Sequence, residues 1–244
     1  MRPGRILIVD DEPQLRRFLR AALGRHGYEI WEASNGMEAH DLLREVRPDL
    51  MLLDINMPGV DGREMCQSTR MADSRLPIIV LSVRHSEHDK VELLEAGADD
   101  YVTKPFSMPE LIARVRRALS RLHGPDEGKP GFEDEDLAVN FPARRVTLRG
   151  QQIRLTPKEF DVLHYLVARQ GKPVSHREIL RAVWGPESGD DISYLRVFIN
   201  RLRSKIEPDP ARPRYLLTEP WVGYMFGPAP DATEKSERSH ESPT

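Results

Sequence analysis

The feature that most constrains this chain is an alternation over its first 122 residues, in which short, continuously apolar runs take turns with stretches of helical periodicity. Arg5–Asp10, Tyr28–Ala33, Asp49–Asp54, Pro77–Ser82 and Asp100–Thr103 read as strands. Pro13–His26, Gly36–Val46, Asp61–Met71, Ser86–Ala96 and Ser107–Leu122 read as the intervening helices, the fourth stopping at Gly97. Leu15, Phe18, Leu19, Ala22 and Leu23 share one face of the first helix, and Ala39, Leu42, Leu43 and Val46 one face of the second. Strands that are apolar on both faces must be covered on both faces, and a (βα)5 order achieves this with a doubly wound parallel sheet.

Residues 123–131 are rich in Gly, Pro and charge and read as a linker, after which the pattern changes. Leu137–Asn140, Val146–Leu148 and Gln152–Leu155 predict short antiparallel strands. Pro157–Gln170, Ser175–Trp184 and Asp191–Glu207 predict helices, and Tyr215–Thr218 with Tyr224–Phe226 a closing hairpin. Thr156-Pro157-Lys158-Glu159 supplies a capping hydroxyl, a proline at the first helical position and a glutamate three residues on. Three helices closed by a hairpin predict an α+β winged helix-turn-helix over 132–228, and the polar tail 229–244 predicts disorder.

Composition limits the alternatives. The single cysteine, Cys66, excludes an intramolecular disulfide framework and a cysteine-based zinc site, and it suits a reducing cytoplasm. No apolar run approaches the roughly 20 residues of a membrane helix, so no membrane partner is expected. The net charge of −3 hides a division: residues 1–122 carry 18 basic and 20 acidic side chains, residues 132–228 carry 15 and 13, and the tail carries 2 and 4. A mildly basic second half remains compatible with DNA, because the local field matters more than the total.

Ligands of an open parallel sheet sit beyond the carboxyl ends of its strands. Asp10 and Asp11 end the first strand, Asp54 the third and Ser82 the fourth, while Lys104 follows the fifth. Carboxylates gathered in one place repel, which a divalent cation relieves, and an oxygen-only set favours Mg²⁺. The arrangement suits phosphoryl transfer, with Asp54 as nucleophile, Lys104 and Mg²⁺ neutralising the phosphoryl oxygens and Ser82 donating a hydrogen bond. Any one of these could be an ordinary turn residue; five at the right strand ends is a different matter.

The motifs IVDDE, LLDINMPGVDG, IIVLSVR and GADDYVTKPF resemble the receiver domain of two-component response regulators across residues 5–122. The resemblance implies phosphorylation of Asp54 by a sensor histidine kinase. It implies Mg²⁺ held by Asp11, Asp54 and the main-chain carbonyl of Asn56, with Asp10 assisting through water. It also implies a cis Lys104–Pro105 peptide and a switch pair of Ser82 and Tyr101. Val83 stands where alanine is common, and its branched side chain would narrow the approach to Asp54. No enzymatic turnover is expected. A haloacid-dehalogenase-type phosphatase would need an acid two residues after the nucleophile, where Asn56 stands, and no glycine-rich loop follows the first strand to suggest nucleotide binding.

LTPKEFDVLHYLV, REILRAVWG, INRLRSKIE and VGYMF resemble the effector domain of the OmpR/PhoB subfamily. That likeness implies a homodimer with Lys90–Glu110, Asp100–Arg114 and Asp99–Arg121 paired between subunits around Val91, Leu94 and Ala113. In Asp191–Glu207, Ile192, Leu195, Ile199, Leu202 and Ile206 form one buried stripe at spacings of three and four. Ser193, Arg196, Val197, Asn200 and Arg201 are then expected to reach promoter DNA, with Arg203 and Lys205 on phosphates. Trp184 is expected in the core, and the loop 184–191 is a candidate RNA polymerase contact. Residues 184–215 are similar to those of regulators of potassium-transport operons, with other operons left open. Glu219-Pro220 stands where an arginine of the subfamily commonly enters the minor groove, and Met225 replaces a second frequent arginine, so minor-groove contact by the wing is not expected and specificity shifts onto Arg196, Asn200 and Arg201.

Overall fold

A computed structural model describes residues 3–57, 62–83, 86–120, 131–186 and 192–227. The first half contains β1 (Arg5–Val9), α1 (Pro13–Gly24), β2 (Glu29–Ala33), α2 (Gly36–Val46), β3 (Leu50–Asp54), α3 (Gly62–Ala72), β4 (Ile78–Ser82), α4 (Glu87–Ala96), β5 (Asp100–Thr103) and α5 (Met108–Ser120). The strands form one parallel sheet in the order β2-β1-β3-β4-β5. Strand order reverses around β1 and β3, which opens a crevice at their carboxyl ends. The continuous apolar runs behave as required, since every residue of β3 and β4 is buried. Alternate side chains feed two cores, one holding Ile6, Ile8, Leu50 and Leu52, the other Leu7, Val9, Met51 and Leu53.

Local signals explain the helix limits. Asn35 and Ser86 accept from the backbone N–H groups of Glu38 and Asp89 and so cap α2 and α4. Gly97, at φ 124°, ends α4 where the sequence placed its stop. Phe18 departs from expectation: it is 53% exposed, because α1 buries Leu19 and Leu23 and turns Phe18 outward.

The second half contains β6 (Phe132–Glu133), β7 (Leu137–Asn140), β8 (Arg145–Leu148), β9 (Gln151–Ile153), α6 (Pro157–Val167), β10 (Val174–Ser175), α7 (His176–Trp184), α8 (Ile192–Ile206), β11 (Leu216–Glu219) and β12 (Gly223–Phe226). An antiparallel β6-β7-β8-β9 sheet precedes the helices, and β10-β12-β11 closes them. Thr156 and Glu159 form the capping box at the start of α6, and Ser175 with Glu178 a second at α7. The two-residue strands β6 and β10 were not expected. The predicted linker, apart from Gly131, and the predicted tail, with Pro228, lie outside the described residues.

The halves are packed together. Helix α8 lies against α4, and one apolar cluster runs from Leu93, Leu94, Ala96 and Tyr101 into Trp184, Val197 and Phe198.

Candidate functional site

Three strand ends and the segment after β5 build an acidic pocket. Asp10, directly after β1, is wholly buried, and Asp54 at the end of β3 nearly so. Asp11 is the least covered of the three aspartates, and one carboxylate oxygen from each lies within 4.8 Å of the other two. Lys104 Nζ bridges two of them, 3.0 Å from Asp10 Oδ2 and 2.8 Å from Asp54 Oδ2. The opposite oxygens are held by the backbone: Glu12 N–H donates to Asp10 Oδ1 at 2.8 Å and Asn56 N–H to Asp54 Oδ1 at 3.1 Å. The Lys104 N–H donates to the Ser82 carbonyl at 2.7 Å, which ties the segment after β5 to the end of β4, where Ser82 is buried. The Lys104–Pro105 peptide is cis.

Burial pushes the Asp10 carboxyl above its ordinary value, against the Glu12 N–H and the Lys104 ammonium, which favour the charged form. Burial also opposes the Lys104 charge, but the hydrogen bonds and charges of Asp54 and Asp10 outweigh it and raise its pKa. Three carboxylate groups with one ammonium form a hard oxygen donor set that leaves negative charge for a divalent cation to offset. Val83 is 55% exposed beside this pocket's Ser82. Tyr101, the other member of the expected switch pair, is buried with Lys90 Nζ 5.9 Å from its ring centroid.

The expected dimer face is occupied within the chain. Arg114 pairs with Asp100 at 2.7 Å and with Glu110 at 3.1 Å. Asp99 is held by Arg70 and by the Ile78 N–H at 2.9 Å. Leu94 is buried, while Val91 and Ala113 are half-buried. Arg121 lies outside the described residues.

The second half grips this same surface. Trp184 Nε1–H donates to the Asp99 carbonyl at 3.1 Å, and the Tyr194 hydroxyl to Asp100 Oδ1 at 3.0 Å. Burial and the Asp100 carboxylate push the Tyr194 phenol well above its usual range. Arg201 donates to the Leu94 carbonyl at 3.0 Å, and Arg117 reaches back to the Trp184 carbonyl. Trp184 is fully buried against Tyr194 and Phe198, with ring centroids 5.1 and 4.9 Å away.

The residues expected to meet DNA are therefore divided. Arg196 and Asn200 are exposed and Ser193 is half-buried. Val197 is buried, although the helical stripe had put it outward, because the first half covers that side of α8. Ile192, expected in the buried stripe, is 37% exposed at the start of the helix. Arg203 donates to the Leu216 carbonyl at 2.6 and 2.9 Å and to Thr218 Oγ1 at 2.8 Å. Arg201 and Lys205 converge on Glu159, 2.9 and 2.6 Å from its two oxygens. Sequence reasoning gave Glu159 only its capping role. Two cations four apart on one helix, 201 and 205, were the available sign of a shared carboxylate.

Comparisons with known proteins agree with both halves. Residues 6–116 match the family model of the response regulator receiver domain, and residues 150–226 that of the transcriptional regulatory protein C terminal domain. The chain is 41% identical over 222 residues to the transcriptional regulatory protein KdpE of Mycobacterium tuberculosis strain H37Rv, covering 91% of this chain and 98% of that one. It is 41% identical over 221 residues to the KDP operon transcriptional regulatory protein KdpE of Escherichia coli K12, again covering 91% and 98%. A solved structure of a RitR mutant superposes with a TM-score of 0.73 at 23% identity, covering 93% of this chain and all of that one, a likeness of fold. Among the described residues no helix is long and apolar enough to cross a membrane.

Proposed function

The chain belongs to the two-component response regulators of the OmpR/PhoB type, and on that premise we propose that it is a promoter-binding transcription regulator switched by phosphorylation of Asp54 from a sensor histidine kinase. The observation that carries this reading is the position of β5. Asp99 and Asp100, at its start, hold Trp184 and Tyr194 of the DNA-binding half. Lys104, just after its end, holds Asp54. One strand of four residues joins the acceptor to the reading head.

An Asp54 carboxylate oxygen attacks the phosphorus of the incoming phosphoryl group; the new P–O bond forms as the bond to the donor breaks. Asp10, Asp11, Asp54 and the Asn56 carbonyl would hold Mg²⁺, which supplies charge neutralisation for the phosphoryl oxygens. Lys104 shifts from its two carboxylates to the phosphoryl group, Ser82 donates to it, and Tyr101 responds to the space Ser82 leaves. Movement of β5 then loosens the grip of Asp99 and Asp100 on α8. The freed surface, with Lys90, Val91, Leu94, Asp99, Asp100, Glu110, Ala113, Arg114 and Arg121, becomes available to a second subunit. Closure and dimerisation use the same residues, so each excludes the other. In the dimer Ser193, Arg196, Val197, Asn200 and Arg201 face the major groove and Arg203 and Lys205 turn to phosphates; the loop 184–191, of which 187–191 lie outside the described residues, is the candidate contact for RNA polymerase. The name of the Escherichia coli relative supports a KDP operon as the target, in line with the resemblance of residues 184–215 to regulators of potassium-transport operons, and the role suits a cytoplasmic protein.

The test is footprinting on a potassium-transport promoter at fixed salt, with and without Mg²⁺ and a small-molecule phosphodonor, for the parent and Asp54→Asn. The parent is expected to gain a specific footprint only with both additions, and Asp54→Asn to take up no acid-labile phosphate and gain none. Label retained by the variant would remove Asp54 as the acceptor. Phosphorylation without a footprint would send the search to another operon.

A further inference from the structure

The turn between β11 and β12 carries a side chain that folding does not explain. Trp221 is fully exposed, while Trp184 is fully buried and Trp31 is 38% exposed. Its backbone sits at φ 67°. The Val222 N–H donates to the Glu219 carbonyl at 3.1 Å, which makes Glu219–Val222 a β-turn with Pro220 second and Trp221 third. A positive φ at the third position is the pattern of a type II turn, where glycine is the favoured residue. A bulky aromatic there is a backbone outlier that pays strain and leaves a large apolar surface in water.

The hairpin is tied to the DNA-reading helix. Arg203 of α8 binds the Leu216 carbonyl and Thr218 of β11. Arg203 Cζ also stands 5.8 Å from the ring centroid of Tyr224 on β12. Trp221 stands three residues beyond both Thr218 and Tyr224, about 10 Å along the hairpin. Glu219, beside it, repels phosphate, and neither Pro220 nor Val222 offers a cation. The turn thus has an exposed indole and no charge with which to grip a backbone.

We propose that Trp221 is this chain's wing contact to DNA, an apolar wedge set against base edges of the minor groove next to the site read by α8. Apolar side chains used this way part neighbouring base steps and widen the contact between protein and duplex. The inference rests on the DNA-binding reading above and names the group through which the wing takes part. The closed packing of α8 on α4 leaves this tip uncovered, so the wedge is available in both states.

The experiment uses the full chain, phosphorylated, and a duplex that the parent selects from a random pool. Trp221→Gly suits the turn's backbone and is expected to melt higher than the parent. It is expected to bind about tenfold more weakly, with an unchanged slope of affinity against salt, because no phosphate contact is lost. Trp221→Phe is expected to recover most of the affinity. In a Trp31→Phe background, the share of acrylamide quenching that Trp221→Phe removes should fall when DNA is added. Trp221→Gly binding as tightly as the parent, or an indole equally quenched in the complex, overturns the wedge. A changed salt slope overturns its apolar character. If the parent selects no duplex at all, the DNA-binding reading falls and the wedge falls with it.

Discussion

Lys104 shows how much a single ammonium can govern. It is the cation bridging Asp10 and Asp54, and both carboxylates are nearly or wholly buried. Removing one partner of such an arrangement leaves charge without compensation, whereas removing all of it would be far milder. Lys104→Gln is therefore expected to lower stability by about 2 kcal/mol in the absence of divalent cations. Mg²⁺ should then raise the melting temperature of the variant more than that of the parent, since it replaces the lost positive charge. Thermal melts of both proteins across a Mg²⁺ titration decide this, and equal shifts would count against the bridge. These residues were legible in the sequence because strand ends of a parallel sheet converge by topology, so their meeting required no knowledge of side-chain packing. Glu159 was not legible in the same way. Its second function, holding Arg201 and Lys205, depends on how α8 lies across α6; the spacing of the two cations marks a shared partner but does not say which carboxylate it is.

The elements divide along similar lines. The receiver-like strands agree with their predicted limits to within a residue or so; β3 and β4, buried on both faces, are marked along their whole length by apolar side chains, whereas the edge strand β2 (EIWEA) is partly exposed. β6 and β10 span two residues each, too few for any period to register. Helix α8 follows its stripe at Leu195, Ile199, Leu202 and Ile206, but Val197 and Phe198 are buried as well. Helical periodicity reports the contacts a helix makes within its own domain, and here a second domain covers another side. The loop after β6 offers a measurable case of element-to-element attachment. Asp134 accepts from the N–H groups of Leu137 and Asp136 at 2.7 and 3.0 Å, and from the Tyr215 hydroxyl at 3.0 Å. Burial alone would raise its pKa, but these donors and Arg214 outweigh it and lower it. A depressed carboxylate contributes stability above its unfolded value, near 3.8, and loses it as pH falls through the lower folded value. Asp134→Asn is thus expected to cost about 1 kcal/mol at neutral pH, with the gap to the parent closing in acid. Denaturant unfolding at neutral pH and again below pH 3 measures this, and a gap that stays constant would rule out the carboxylate's charge as the cause. Tyr215 should respond in the opposite sense, since burial and the same aspartate push its hydroxyl up to about 12.

Across the molecule, two domains meet through hydrogen bonds from Trp184 and Tyr194 to the adjacent residues Asp99 and Asp100, where β5 begins. Tyr194→Phe deletes one donor and leaves Asp100 its bonds to Arg114 and to the Tyr101 N–H. A net hydrogen bond of about 1 kcal/mol weakens closure about fivefold. Promoter affinity of the unphosphorylated variant is expected to rise by up to that factor, while the phosphorylated forms bind alike. Fluorescence anisotropy on both forms tests this; no gain in the unphosphorylated state would show that the tyrosine does not restrain the reading head. The placement of β5 between pocket and reading head has a thermodynamic consequence as well. Free-energy coupling between two sites is reciprocal. If a phosphoryl group at Asp54 makes α8 easier to release, then a duplex that captures α8 must stabilise the phosphoryl group at Asp54 by the same factor. The promoter would then be an effector of its own regulator's phosphorylation equilibrium, and the sites in the cell that bind best would also be those at which the modified form accumulates.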